Sequence, residues 1–502
     1  MLADKNAAAT VNGLNQKFLL KPLENGRTAV VIAGDVSKEV LGKEVLIRIN
    51  VDDIIERVYD GTDKQIPDPV SFIDRIHQFA DMYERDEKII TPIHKDCKLC
   101  EFKSTPEQEA EGKLSGFKQC WSEQLDWQDD MFELPNILDL WDFRKKPELL
   151  EKGKYLMQDL TPDDIGNLAP GKDGILTRTE RQWMQIKKAV EKDKEPYIDI
   201  EGLKSEFRQF RYPLHFIDFE TSMVAVPFFK GRKPYEQIAF QYSHHIVYED
   251  LTIEHKGQYL CKGKGVFPNF DFVRNLKSEL ENDNGSIFRY AAHENTVLNQ
   301  IMVQLQEVDS DIVPDKKELI DFIQSISHSA NHNGNRDMID LLKLVKNYYY
   351  HPIMGGSNSI KAVLPAVLST SEYIQTKYSK PIYGKTSQIK SLNFDDGWMW
   401  IQWDDKGNII SPYKLLPPIF DNLTDEEIEE FLMSNGISDG GAAMTAYAKM
   451  QFAEITDFER ERIISGLLKY CELDTMAMVM IWEYFLKVIH KKIRQNDHSF
   501  QM

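Results

Sequence analysis

The sequence has no long stretch of uncharged apolar residues, which is the feature that a membrane-spanning helix requires. Such a helix needs roughly 18 consecutive apolar residues, whereas the best candidate, Met476–Phe485, is interrupted by the charged Glu483. Cysteine is also scarce: five cysteines in 502 residues are too few for the disulfide framework of a secreted protein. We therefore expect a cytoplasmic protein that does not enter a membrane.

Positive charge is in deficit along the chain. There are 61 lysines and arginines against 80 aspartates and glutamates, so the net charge is −19. This balance excludes a histone-like protein that binds nucleic acid through bulk positive charge. It leaves open an enzyme that meets nucleic acid through a local basic patch and bound metal ions.

Composition and apolar periodicity predict three parts, residues 1–95, 96–205 and 206–495. The first has the pattern of a small α+β region, and the second that of a cysteine cluster followed by a charged helical connector. The predicted elements of the first part are strands at Arg27–Gly34 and Glu44–Val51 and helices at Val51–Tyr59 and Val70–Arg85. An apolar pattern is already present at Ala7–Leu20, so we expect an upstream part to be missing or supplied by a protein partner.

In residues 206–495 the predicted strands come first and the helices follow. This order indicates an α/β domain with a sheet flanked by helices. The predicted strands are Leu214–Glu220, Ile238–Val247, Leu251–His255 and Gly285–Ala291. The predicted helices are His293–Val308, Asp337–Tyr349, Ile360–Leu368, Asp425–Ser434 and Asp457–Arg494.

Two carboxylates lie on an apolar strand of this domain. Asp218 and Glu220 are two residues apart, so their side chains emerge on the same face as Leu214 and Phe216. The strand would therefore direct two acids toward a hydrophobic layer. The alternative is a strand end that enters a loop, where both groups are solvated.

Another acid in apolar surroundings lies on the last predicted helix, which begins with a capping box at Thr456 and Glu459. Asp474 falls in the middle of the apolar stripe of this helix, with Tyr470 one turn before it. The stripe comprises Ile463, Leu467, Tyr470, Asp474, Met478, Ile481 and Phe485. A buried unpaired carboxylate costs several kcal/mol, so Asp474 should be neutral, bound to metal, or paired with a lysine or arginine.

Glu294 opens the helix that follows the Gly285–Ala291 strand, and it begins the apolar stripe of that helix. A first-turn glutamate can also be favoured simply by the helix dipole. Taken together, the strand Asp-x-Glu, the acid that opens a later helix and Tyr-x-x-x-Asp on a final helix resemble the DEDD 3′→5′ exonucleases. These form the DnaQ-like branch of the ribonuclease H-like superfamily, here in the variant with a tyrosine before the last aspartate.

This resemblance implies a metal-dependent nuclease that has a ribonuclease H-like mixed sheet and acts on DNA or RNA. Asp218, Glu220, Glu294 and Asp474 would hold two Mg²⁺ or Mn²⁺ ions, and Tyr470 would orient the attacking water. Two ions about 3.5–4 Å apart clamp the attacking and leaving oxygens of a phosphodiester. Hard cations of this kind prefer oxygen ligands.

One position departs from the family pattern. The second motif of these exonucleases normally carries an aspartate, whereas this chain has Glu294 within Tyr290–Asn295, longer by one methylene. The difference supports an alternative, a catalytically impaired nucleic-acid-binding or scaffold protein with the same fold. Asp340 resembles the additional aspartate after the second motif, or else it simply begins a helix.

A closer resemblance is to an uncharacterised bacterial family with a DnaQ-like C-terminal domain. The matching stretches are dispersed over roughly 270 residues in the expected order, which makes the conjunction more specific than any one piece. They are Tyr212–Thr221, Lys233–His245, Gly355–Leu368 and Tyr470–Met478.

A basic stretch covers residues 341–394, in which Glu372 is the only acid. Cations for phosphates and aromatic faces for bases are what single-strand binding needs. The candidate nucleic-acid-binding residues are Lys361, Lys377, Lys380, Lys385, Lys390, Tyr378 and Tyr383. The alternative is a solvated loop whose tyrosines cap a core.

The cysteine cluster comprises His94, Cys97, Cys100 and Cys120. Four such ligands can close a tetrahedral Zn²⁺ site, although unligated thiols are the alternative. The cluster also resembles the later cysteines of the iron–sulfur staple in some PD-(D/E)XK nucleases. Residues 1–95 would then be a truncated remnant of that nuclease, and the iron–sulfur site would be incomplete or absent. Cys261 and Cys471 are interpreted as ordinary buried residues.

Overall fold

The computed structural model describes residues 2–22, 28–64, 70–416, 441–452 and 455–499. The chain divides into two compact units. The smaller unit comprises Met1–Leu2, Leu46–Ala169 and Thr177–Lys194, and the larger comprises Ala3–Val45, Pro170–Leu176 and Glu195–Met502. The predicted catalytic carboxylates all lie in the larger unit.

Residues 3–45 belong to the larger unit, whereas the sequence pattern grouped them within residues 1–95. The physical reason is that the backbone of this segment hydrogen-bonds to the backbone of a loop far along the chain. The Ala9 N–H donates to the Arg232 carbonyl at 2.9 Å, and the Gly231 N–H donates to the Ala9 carbonyl at 2.7 Å. The assignment of residues 1–95 to a nuclease remnant stays a prediction.

The smaller unit is helical, as expected for a connector. Its α-helices are Asp52–Tyr59, Phe72–Glu84, Pro106–Ala110, Gly116–Leu125, Asp129–Phe132, Lys146–Glu151, Pro162–Ile165 and Arg178–Val190. It also contains the short strand Leu46–Ile47 and 3-10 turns at Lys95–Leu99, Ile137–Asp139 and Met157–Asp159. The predicted helices at Val51–Tyr59 and Val70–Arg85 are confirmed within two residues. The predicted strand Glu44–Val51 is reduced to two residues. Trp121, Ile137 and Leu140 are buried at the centre of this unit.

The N-terminal part of the chain contains a short antiparallel hairpin. Phe18–Pro22 pairs with Thr28–Ile32, which confirms the strand predicted at Arg27–Gly34. The neighbouring elements are the strand Leu2–Ala3, the 3-10 turn Leu14–Lys17 and the helix Lys38–Leu41. Further along, the larger unit has a 3-10 turn at Lys172–Gly174 and a two-residue strand, Tyr197–Ile198, paired with Tyr349–Tyr350.

A seven-stranded mixed sheet is the centre of the larger unit. Its strands are β1 (Leu214–Ser222), β2 (Ile238–Val247), β3 (Ile253–Leu260), β4 (Ile287–Arg289), β5 (Ile339–Asp340), β6 (Tyr383–Gly384) and β7 (Ile389–Lys390). The order across the sheet is β5-β4-β1-β2-β3-β7-β6. Strands β1, β2 and β3 form an antiparallel meander, while β4 is parallel to β1 and β5 is parallel to β4. The predicted α/β class with a mixed sheet is therefore confirmed.

Helices cover both faces of this sheet. They are α1 (Ile200–Phe207), α2 (Asn269–Leu280), α3 (His293–Glu307), α4 (Lys316–Ile326), α5 (Leu341–Tyr348), α6 (Ile360–Thr370), α7 (Glu372–Tyr378), α8 (Gly441–Phe452) and α9 (Asp457–Ser499), with 3-10 turns at Pro352–Met354 and Pro412–Leu415. The predicted helix Asp337–Tyr349 is shorter, because Ile339 and Asp340 pair with β4 as a strand. The helix predicted at Asp425–Ser434 lies outside the described residues. Among the described residues, no helix has the length and apolar character needed to cross a membrane.

The two faces of β1 enter two different cores, as its alternating pattern predicts. Leu214 and Phe216 pack in the core that contains α6 and the middle of α9, whereas Ile217 and Phe219 pack in the core formed with α2 and α3. Asp218 and Glu220 share the period of Leu214 and Phe216, so they point to the face that α9 covers.

Helix α9 begins where its capping box predicts. The Thr456 hydroxyl accepts the Glu459 N–H at 3.2 Å, and the Glu459 carboxylate accepts the Thr456 N–H at 2.8 Å. The prediction of a single apolar stripe was wrong for the middle of this helix, since every residue from 471 to 485 is buried. In this structure α9 contacts β1 and β2 of the sheet and also the helices α1, α6 and α7.

Candidate metal centre

Strand β1 delivers two carboxylates to the face that α9 covers. Asp218 pairs with Ser243 on β2, and Glu220 pairs with Gln241. The register shifts directly after Glu220, because Thr221 opposes Ala239 rather than the residue next in line. A bulge at this point re-aims the strand beside a site. Glu220 is 5% exposed and Asp218 is partly buried.

Helix α9 adds a thiol and a third carboxylate to this face. Cys471 and Asp474 are three residues apart, so they lie on the same side of the helix. The Cys471 thiol is 3.6 Å from the Asp218 Oδ2 atom and 3.6 Å from the Asp218 carbonyl oxygen. Ligand atoms of Asp218, Glu220 and Cys471 all lie within 4.8 Å of one another. The Tyr413 hydroxyl donates a hydrogen bond to Asp474 Oδ1.

The first turn of α3 brings the fourth carboxylate. Glu294 is 1% exposed, and among the described residues its Oε2 atom has no hydrogen-bond partner. Ala291, two residues before the helix, adopts a φ of 74°, a region that residues with a side chain seldom enter. Its N–H donates to Asp340 Oδ1 at 3.2 Å, which ties the turn between β4 and α3 to the end of β5.

Asp340 itself is a helix cap. Its Oδ1 atom also accepts the Lys343 N–H at 3.2 Å, and its Oδ2 atom lies 3.4 Å from the Arg289 guanidinium. These contacts match the interpretation of Asp340 as a residue that begins a helix. Its charge still acts on the centre, since it contributes to the raised pKa of Glu294.

The carboxylates of the centre raise one another's pKa values. Burial and the charge of Asp474 raise the pKa of Asp218 well above its ordinary value. Burial, then the charges of Asp218 and Asp474, do the same to the pKa of Glu220. Burial and the charge of Asp218 raise the pKa of Glu294. All four predicted ligands are therefore close enough to interact, and a cluster of this kind is stabilised by protons or by bound cations.

A lysine and two tyrosines lie next to these acids. The Lys361 ammonium is 5.3 Å from the centre of the Tyr413 ring and 5.4 Å from that of Tyr470. The two ring centres are 6.2 Å apart. The positive charge of Lys361 partly offsets the effect of burial and of the neighbouring acids on the pKa of Glu220. Lys361 therefore lies next to the carboxylates of the centre, and its role in binding nucleic acid stays a prediction.

The donor set fits divalent cations. Carboxylate oxygens are the ligands that Mg²⁺ and Mn²⁺ prefer, and four of them come from three separate elements, β1, α3 and α9. The Glu294 Oε2 atom, buried and without a hydrogen bond among the described residues, is an acceptor that a cation would satisfy.

Two residues predicted to stack on nucleic-acid bases cannot do so in this structure. Tyr378 and Tyr383 are both fully buried. The Tyr378 hydroxyl donates to Glu483, and the Tyr383 hydroxyl donates to Glu472, each at 2.5 Å. The prediction failed because these acids lie about a hundred residues further along the chain. The sequence of the basic stretch therefore does not show that acidic partners bury its tyrosines.

The predicted lysines differ in their surroundings. Lys377 forms an ion pair with Glu483 at 2.7 Å and is largely buried. Lys385 is exposed and pairs with Asp395 at 2.8 Å. Lys380 and Lys390 are exposed. A role of these lysines in binding phosphate stays a prediction.

The cysteine cluster does not show the close grouping seen at the carboxylates. Cys97, Cys100 and Cys120 are partly buried free thiols. Burial raises the pKa of Cys97, and the neighbouring Cys100 and Cys120 add to this effect. The His94 Nδ1 atom accepts the Asp96 N–H at 3.2 Å. Within the described ranges, three candidate metal ligands have their ligand atoms within 4.8 Å of one another at Asp218, Glu220 and Cys471, and not at the cysteine cluster. Zinc or an iron–sulfur cluster at these cysteines stays a prediction.

Sequence reasoning missed two residues of the centre. Tyr413 lies 61 positions before its partner Asp474, in a 3-10 turn that carries no motif. Cys471 was interpreted as an ordinary buried residue. Its position three residues before Asp474 on a helix was the signal that could have placed it at the centre.

Comparison with known proteins gives one match. Residues 215–359 are similar to a family described only as a domain of unknown function, DUF2779. This segment runs from the second residue of β1 through α5, so it includes Asp218, Glu220 and Glu294, and it ends before α6 and α9. No curated protein matches the chain, and no solved structure matches it.

Proposed function

We propose that the larger unit is a metal-dependent nuclease of the DEDD type, a 3′→5′ exonuclease that hydrolyses phosphodiester bonds of single-stranded DNA or RNA. The observation that carries this proposal is the convergence of Asp218 and Glu220 on β1, Glu294 on α3 and Asp474 on α9. Burial and the neighbouring charges raise the pKa values of Asp218, Glu220 and Glu294. Burying ionised acids together is costly, so such a cluster favours bound cations or protons, and perturbed acids of this kind are common at functional sites.

The sheet also supports the proposal. A three-stranded antiparallel meander, extended by β4 and β5 parallel to β1, is the kind of mixed sheet that the ribonuclease H-like resemblance implies. The acids lie on β1, at the start of the helix after β4, and on the final helix. These are the three places where the motifs of the resemblance put them.

In this proposal Asp218, Glu220, Glu294 and Asp474 hold two Mg²⁺ or Mn²⁺ ions. When bound, the ions would activate water and neutralise the charge that develops on the phosphate. Tyr413 holds Asp474 through its hydroxyl. Tyr470, beside the Lys361 ammonium, orients the attacking water. Lys361 adds a positive charge beside the carboxylates for a phosphate of the substrate.

An assay on labelled single strands tests the proposal. Full-length protein is incubated with 5′-labelled single-stranded DNA and RNA in the presence of Mg²⁺ or Mn²⁺, and the products are resolved by size. We expect progressive shortening from the 3′ end that stops on addition of EDTA. Asp474→Asn should lower the rate at least ~100-fold, because it removes a charged ligand of the ions.

A matched control comes from the same helix. Glu472 is also buried on α9, two residues before Asp474, but it is hydrogen-bonded to Tyr383, Ser391 and Asn393 instead of joining the acidic cluster. Glu472→Gln should keep most of the activity, provided that its circular dichroism shows a folded protein. Activity that survives both EDTA and Asp474→Asn would refute the two-metal proposal. Binding of single strands without cleavage would support the scaffold alternative.

A further inference from the structure

The thiol of Cys471 lies in the same group of ligand atoms as the carboxylates of Asp218 and Glu220. Its Sγ atom faces Asp218, and ligand atoms of Cys471, Asp218 and Glu220 are all within 4.8 Å of one another. Cys471 is fully buried, so this contact is fixed by the packing of α9 against β1 and not by a mobile surface side chain. The group of Cys471, Asp218 and Glu220 is thus part of the proposed metal centre.

Two further buried acceptors belong to residues beside this group. The Glu294 Oε2 atom has no hydrogen-bond partner within the described part of the chain, and its charge acts on Glu220. Gln241 lies opposite Glu220 on β2, is 1% exposed and donates its amide to the Leu467 carbonyl at 2.7 Å. Its Oε1 atom likewise lacks a partner among those residues. Buried acceptors without a protein partner call for another partner, such as an ion or a water molecule.

The spacing suits a metal with one sulfur ligand. With metal–sulfur and metal–oxygen distances of about 2.3 and 2.1 Å on a tetrahedral ion, the sulfur and oxygen atoms are about 3.6 Å apart. The Cys471 Sγ and Asp218 Oδ2 atoms are 3.6 Å apart. The S–H···O contact therefore holds the two donors at the separation that an ion would require.

We propose that Cys471 is a metal ligand and that the position it shares with Asp218 and Glu220 takes a borderline cation of the Zn²⁺ type in preference to Mg²⁺. This inference rests on the proposed metal centre and names the chemistry of one of its ions. Thiolate ligands select borderline and soft metals, whereas Mg²⁺ takes oxygen ligands. On binding, the metal–sulfur bond replaces the S–H bond of Cys471, and the proton passes to water.

Co²⁺ is the probe for this inference, because it replaces Zn²⁺ in such sites and a thiolate–Co²⁺ bond absorbs in the near ultraviolet. The cysteines of the smaller unit could bind Co²⁺ themselves, so the experiment uses full-length protein with Cys97, Cys100 and Cys120 changed to serine. We expect a charge-transfer band together with the visible bands of bound Co²⁺. We also expect Zn²⁺ to displace Co²⁺ at much lower concentration than Mg²⁺ does.

Two variants, made in the protein that lacks the three cysteines of the smaller unit, show which cysteine gives rise to the charge-transfer band. Cys471→Ser should abolish the charge-transfer absorption, whereas Cys261→Ser should leave it unchanged, since among the described residues Cys261 is not part of the group of ligand atoms with Asp218 and Glu220. Visible Co²⁺ bands without the charge-transfer band would overturn the inference. So would a band that Cys471→Ser leaves intact. The first result needs no change at Cys471, so the inference can be refuted even if Cys471→Ser does not fold.

The failure of this inference differs from a failure of the proposed function. Mg²⁺-dependent cleavage with no thiolate–Co²⁺ band would leave the nuclease standing and remove Cys471 from the ligand set. A thiolate–Co²⁺ band without any cleavage of single strands would keep Cys471 as a ligand and favour a binding or scaffold protein. Absence of Co²⁺ binding altogether would overturn the inference.

Discussion

Replacing Glu220 by glutamine should stabilise the metal-free protein. Ligand atoms of Glu220 and Asp218 lie within 4.8 Å of each other. Two unit charges at that separation repel by about 3.5 kcal/mol at an effective dielectric constant of 20. Partial protonation already relieves some of this repulsion, because burial and Asp218 raise the pKa of Glu220. We therefore expect a net gain of about 1–2 kcal/mol in the free energy of unfolding at pH 7.5 in EDTA.

The assay is thermal unfolding of the full-length protein in EDTA and again in Mn²⁺. A gain of about 1–2 kcal/mol raises the melting temperature of a domain of this size by a few degrees. In Mn²⁺ the order should reverse: the wild type is stabilised by the bound ions, and Glu220→Gln, which lacks one charged ligand, is stabilised much less.

Glu472→Gln provides the matched control, for which we expect the opposite change in the stability of the metal-free protein. Burial disfavours the ionised form of Glu472, yet the nearby His255 and the hydroxyls of Ser391 and Tyr383 outweigh burial and lower its pKa. Removing this carboxylate should destabilise the protein in EDTA and leave the response to Mn²⁺ unchanged. A lower melting temperature of Glu220→Gln in EDTA would refute the reasoning, because it would show that Glu220 is compensated by the protein itself.

Three further predictions concern pH, acid stability and catalysis. The folded-state pKa values of Asp218, Glu220 and Glu294 are raised. Their contribution to the free energy of unfolding is therefore fully present below about pH 4 and is lost as the pH rises. Unfolding in EDTA should therefore show falling stability toward alkaline pH, and Mn²⁺ should flatten this slope. In the smaller unit, burial opposes ionisation of Asp164, but hydrogen bonds from Lys154 and Thr161 prevail and its pKa is about 2. Asp164→Asn should cost about 2 kcal/mol near neutral pH and almost nothing near pH 2, measured by denaturant unfolding. Finally, Tyr470→Phe should lower kcat by ~10- to 100-fold with little change in Mn²⁺ affinity, since Tyr470 orients water and is not a ligand; a large loss of Mn²⁺ affinity would contradict that role.

The sequence predicts those elements that carry a strong local signal. The limits of β2 agree with its apolar run, and α9 starts at its capping box. The short strands β5, β6 and β7 have two residues each. No periodicity can be read from two residues. Strands this short depend on pairing with the rest of the sheet, which the local sequence does not report. Helix α2 was missed because its apolar pattern follows directly on a loop within the predicted strand region.

The candidate centre was predictable where acids interrupt an apolar pattern. Asp218, Glu220 and Asp474 could be recognised because each stands at a position that its neighbours mark as buried. Tyr413 could not be recognised, since only tertiary packing brings its turn next to α9. The burial of Tyr378 and Tyr383 was hidden for the same reason: their hydrogen-bond partners are on α9, about a hundred residues away. Local patterns report burial well, but they do not report which distant groups meet.

The most direct measurement is an anomalous difference map from crystals of the protein soaked in Mn²⁺. The account predicts two peaks about 3.5–4 Å apart, enclosed by the carboxylates of Asp218, Glu220, Glu294 and Asp474. Mn²⁺ bound elsewhere, with these four side chains unliganded in an otherwise intact fold, would contradict it.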